Sequence, residues 1–183
     1  MNEDLQAKLS AISAAGKLRD KQYSAILRSD DEIIALVLRA HLIMEELLFA
    51  AVAVYCPTPK YLQDAQLRFP QLAALVRALA KQPFDSWIWD ALSELNALRN
   101  ALSHNLEPQN ISDRVARFVN TIKRQVNKGV KGGGDLLGEP VDSKDAFRAA
   151  THYLLGAMSF ATDSQVRILI ADKLTIKPSS DKG

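Results

Sequence analysis

Cysteine is almost missing from this chain: Cys56 is the only one in 183 residues. An intrachain disulfide is therefore excluded, and so is a zinc site built on paired cysteines. No long hydrophobic run is free of charge. The nearest, Ile33–Cys56, carries Arg39, His41, Glu45 and Glu46 near its middle. Each central charge costs roughly 2.5–3.5 kcal/mol on entering a bilayer, more than the leucines return, so the stretch reads as a core helix. An excess of one charge is also lacking. The 23 Lys and Arg against 21 Asp and Glu leave a net charge of +2. Only local clustering of basic residues can then point to nucleic acid. The opening Met-Asn-Glu-Asp is acidic where a signal peptide is basic, so a cytoplasmic protein without a membrane partner is expected. Strand-like alternation and internal repeats are absent; the one β-like fragment, Val166–Ile170, continues a helical period.

What remains is helical periodicity punctuated by proline. Residues 1–28 form an expected N-terminal extension of one or two peripheral helices, with Leu5, Leu9, Ile12, Leu18, Tyr23, Ile26 and Leu27 in period and Gly16 as an interruption. Residues 29–127 form the expected bundle core. Ser29 and Glu32 have capping-box spacing, which opens a long helix from Asp30 to about Tyr55, closed by Pro57 and Pro59. On it Ile34, Val37, His41, Glu45, Leu48 and Val52 share one face, with Glu32, Arg39 and Glu46 nearly opposite. A short helix follows Thr58-Pro59 to about Leu67, and another restarts at Pro70 with Leu72, Leu75, Val76 and Leu79 in its stripe. A helix capped by Asp85 places Trp87, Ile88, Leu92, Leu95 and Leu102 inward and ends between His104 and Leu106, ahead of Pro108. After Ser112 an amphipathic helix carries Val115, Phe118, Val119, Ile122 and Val126.

Residues 128–142 read as a flexible glycine-rich connector. Gly129 and Gly134 have phosphate-loop spacing, but Asp135-Leu136 stand where that loop needs Lys and Ser/Thr. Ser143 caps a last helix within 143–176 that contains His152, expected to be structural, and 177–183 form a disordered tail. The fold class is all-α: an antiparallel bundle of about five to seven helices.

One stretch carries candidate chemistry, Leu95–Asn105, which reads Leu-Asn-Ala-Leu-Arg-Asn-Ala-Leu-Ser-His-Asn. Arg99 supplies a guanidinium fork suited to phosphate oxygens. His104 moves protons near neutral pH, and Asn100 adds an amide. Such a trio suits a phosphodiester. His41 and Glu45 form an i, i+4 pair on an apolar face. It either fixes helix register or lets Glu45 tune the site histidine from a neighbouring helix. Arg114, Arg117, Lys123 and Arg124, continuing to Lys128 and Lys131, make the helix after Ser112 basic. That side is either a solvated face or a track for a phosphate backbone. Trp87 and Trp89 read as one core and one partly buried side chain rather than as a base-stacking pair.

The Arg99-Asn100-x3-His104 spacing resembles the signature of the HEPN superfamily, helical bundles that include many metal-independent ribonucleases. The likeness extends to the layout of Asp30–Asn127, and it implies the following expectations. The bundle is HEPN-like, and the chain is an endoribonuclease that acts by 2′-hydroxyl attack without metal or other cofactor. It works as a toxin or defence effector, with an antitoxin or regulatory protein as partner. Arg99, Asn100 and His104 are the catalytic residues, and a homodimer brings two motifs into a shared cleft. Several HEPN toxins carry a tyrosine two residues after the histidine, where this chain has Leu106. The alternative is a non-catalytic dimerising regulator similar to the mannitol operon repressor family.

Overall fold

A computed structural model describes residues 3–27, 32–81, 84–104, 110–129 and 143–175. Among them are seven helices and no strand: α1 Glu3–Leu27, α2 Ile33–Ala53, α3 Lys60–Asp64, α4 Phe69–Leu79, α5 Ser86–His104, α6 Ile111–Gly129 and α7 Ser143–Thr175. The expected Ser29 cap, the segment after His104 with Leu106 and Pro108, connector residues 130–142 and the 177–183 tail lie outside the described residues.

The bundle closes around α2. Its Leu36, Val37, Ala40, Met44, Leu47 and Leu48 are fully buried, and it packs against α1, α4, α5 and α7. The pairs α5–α6 and α6–α7 complete the wall. Phe118 of α6 meets Phe147 of α7 with ring centroids 5.0 Å apart, and both rings are wholly out of water. No helix among the described residues is long and apolar enough to cross a membrane.

Several expectations need correction. The helix does not break at Gly16; α1 runs straight through it. A Cβ there would lie 2.5 Å from Asp163 Oδ2, so a side chain at this position would have to push that carboxylate of α7 aside. Leu18 and Ile26 face outward, whereas Tyr23 and Leu27 are buried. The Tyr23 phenol is pushed up to about 12 by burial and by its hydrogen bond to Glu46. Helix α2 starts at Ile33, with Glu32 as an N-cap that makes no side-chain capping bond. Its buried face is also rotated from the expected one. Ile34, Leu38 and Leu42, spaced i, i+4, i+8, are all exposed, Leu42 by 62%. Helix α3 stops at Asp64 because Gln66 takes a left-handed φ of 46°. Leu79 is exposed, and α6 begins at Ile111 and continues to Gly129, inside the expected connector. In α7, Ser143 is the first helical residue.

Candidate functional site

Proline and glutamine build one wall of the site. Pro70 occupies the first turn of α4, where a missing N–H costs nothing. Gln71 Oε1 accepts the Arg68 backbone N–H at 2.8 Å, which caps the start of the helix. The turn before it, with Gln66 in the left-handed region, brings Arg68 beside α2 and α5.

The result is a polar groove of about 730 Å³ between α2, α4 and α5. His41 and Glu45 come from α2, Arg68 and Phe69 from the α4 entry, and Asn96, Arg99 and Asn100 from α5. Asn96, Arg99 and Asn100 share this wall because positions i, i+3 and i+4 lie on one helix face. Arg99 Nη1 donates to Asn100 Oδ1 at 3.2 Å. One donor of the guanidinium is thereby fixed, and the fork keeps others for a ligand.

His41 is the groove's buried floor. Its ring stacks on Phe69 with centroids 4.4 Å apart, and Nε2 lies 3.3 Å from Asn96 Oδ1. An amide oxygen only accepts, so Nε2 carries the proton and donates. The expected pairing with Glu45 is therefore only electrostatic, and the hydrogen-bond partner is Asn96. Burial lowers the His41 pKa from 6.5, opposed by the Asn96 bond and the Glu45 charge, while Arg99 lowers it further. The imidazole is neutral at pH 7.

A depressed histidine binds fewer protons folded than unfolded. Stability therefore rises with pH through the interval below 6.5 and is lost as pH falls through it. Denaturant unfolding at pH 5 and pH 7.5 should show a weaker fold at the acid value, and His41→Gln should flatten that difference. An equal pH slope in the variant would remove the burial argument.

Not every predicted residue joins the groove. His104 is the last residue of α5. The helix is continuous from Arg99 to His104, so the two positions lie about 140° apart around its axis. Arg117 and Arg124 are exposed on α6, and Arg114 and Lys123 are half-buried there. None of the four lines the groove. Arg124 instead borders a separate polar hollow with Asp90 and Glu94. His152 lies 3.4 Å from Ser24 Oγ through Nδ1, which ties α7 to α1.

Asn96, Arg68 and Phe69 were not anticipated from the sequence. Asn96 was legible in principle, three residues before Arg99. Arg68 and Phe69 were not, since nothing local brings the α4 entry to α5. Fold and site together define an all-α bundle with a polar, arginine-bearing groove. No family description matches the chain, and no curated protein or solved structure is significantly similar to it.

Proposed function

We propose that this chain is a metal-independent endoribonuclease that cleaves RNA by 2′-hydroxyl attack. The observation that carries the reading is Arg99 and Asn100, hydrogen-bonded to each other at the rim of a polar groove one helical turn before His104. In this mechanism His104 takes the proton of a ribose 2′-hydroxyl, or returns one to the departing 5′-oxygen. The 2′-oxygen bonds to phosphorus as the P–O5′ bond breaks. The products are a 2′,3′-cyclic phosphate and a 5′-hydroxyl end. Arg99 stabilises the charge growing on the phosphoryl oxygens, and Asn100 holds the guanidinium in place.

A homodimer fits this scheme, because the 140° between Arg99 and His104 keeps them from one phosphate within a single chain. The apolar stripe Ile34, Leu38 and Leu42 supports such an assembly. Around α2 it lies next to Glu45, so a second copy seated on it borders the groove. Exposed Arg117 and Arg124 on α6 would steer the RNA backbone without reading its sequence. A toxin or defence role with a regulatory protein partner belongs to the same proposal.

The test is incubation of the concentrated protein with several RNA classes in EDTA. Cleavage leaving cyclic phosphate ends is the expected result. RNA that stays intact throughout favours the second reading, a non-catalytic dimerising regulator. The uninterrupted α5 is the observation on that side, since it separates Arg99 from His104.

A further inference from the structure

Two concavities meet along the seam between α4 and α5. One is the polar groove. The other, of about 300 Å³, is lined by Phe69, Pro70, Arg77, Trp89, Ser93 and Asn96 together with aliphatic side chains. Phe69, Pro70 and Asn96 belong to both linings, so the two spaces adjoin. The polar part presents Arg68 and Arg99; the other presents an indole in mainly apolar surroundings. A ligand that satisfies both carries an anionic group next to a flat aromatic one. A purely acidic molecule leaves the indole unused, and a neutral apolar one leaves the guanidinium groups unused. A nucleotide uses both.

We propose that the Trp89 pocket is a nucleobase subsite, holding the base of a nucleotide whose phosphate lies against Arg99. The inference rests on the RNA reading above for its biological substrate, which it narrows to a single strand with one base unstacked beside the bound phosphate.

The two tryptophans are distinguished by their surroundings. Trp87 is in the core, whereas Trp89 is half-buried and lines the pocket. Phe84 stacks on Trp89 at 5.4 Å and 24°, which holds the indole plane. The Arg77 guanidinium lies over the ring at 5.9 Å, near the outer limit of about 6 Å for a cation–π contact. Arg77 is itself exposed. An exposed guanidinium beside the indole offers a second plane for a base, and unpaired bases stack on both aromatic rings and arginine planes.

Asn96 supplies polarity where the two spaces join. Its Oδ1 is occupied by the His41 Nε2–H, so the amide meets a ligand with its two N–H groups. It therefore favours a base edge that presents a carbonyl oxygen or ring nitrogen. His41 acts here as a positioning residue, because it fixes which end of the amide faces the pocket.

The experiment titrates the full chain with each of the four 5′-nucleoside monophosphates and with ribose 5-phosphate. Tryptophan fluorescence and calorimetry are followed. At least one nucleotide should bind saturably, quench the indole, and bind about 5- to 150-fold tighter than ribose 5-phosphate. Trp89→Leu should bring that nucleotide down to the level of ribose 5-phosphate, whose own affinity stays unchanged. Arg77→Ala, a surface change that leaves the fold intact, should weaken the nucleotide about 2- to 30-fold. Equal binding of nucleotide and sugar phosphate, undiminished binding in both variants, or no binding of any probe would each overturn the subsite. RNA cleavage is read separately. Cleavage with no base contribution leaves the ribonuclease reading standing alone, and a base contribution without cleavage leaves the subsite standing alone.

Discussion

Arg99→Ala is expected to lower RNA cleavage by about 10²- to 10³-fold, and His104→Ala to do at least as much. The size follows from the loss of one preorganised donor to transition-state charge, which costs about 2.7–4 kcal/mol of barrier. Folding should hardly register the arginine change. Arg99 is half-exposed, and among the described residues its side chain bonds to exposed Asn100. Substitutions of this kind stay within about 0.5 kcal/mol. Rate and stability are thus expected to separate, and single-turnover cleavage beside urea unfolding measures both. A variant that melts early and loses activity in proportion would place Arg99 in the scaffold instead. Unimpaired cleavage by Arg99→Ala would remove it from the mechanism.

Phe118→Ala is the change expected to reach stability hardest. The ring is wholly buried and packs on Phe147 at 5.0 Å, joining α6 to α7. Truncating a buried phenylalanine costs about 3–5 kcal/mol, from lost transfer energy and the cavity left behind. In a chain of this size that lowers Tm by roughly 6–20 °C. Differential scanning calorimetry checks it, with Phe118→Leu as the milder partner. A shift of only a degree or two would mean that α6 and α7 are held together elsewhere. The groove lies between α2, α4 and α5, so nucleotide binding well below the melting point should change far less than Tm.

The class of this protein was determined by sequence alone, because the signals involved are local. Apolar residues at intervals of three and four specify helices wherever they fall in space, and Pro57, Pro59 and Pro70 mark breaks through the chemistry of their own rings. The wall formed by Arg99 and Asn100 was legible on the same ground, since neighbours on one helix need no partner to be aligned. Tertiary packing alone decided what faces that wall. His41 and Asn96 are 55 residues apart and meet only because α2 and α5 bury adjoining faces. Phe69 reaches His41 because the turn at Gln66 redirects the chain into α4. Periodicity places a face to within a broad arc. The neighbours of α2 chose within that arc, which buried Leu36 and Met44 and left Ile34, Leu38 and Leu42 in water. Gly16 follows the same rule: a residue that weakens helices by local propensity sits inside α1, where the Asp163 carboxylate of α7 lies against it.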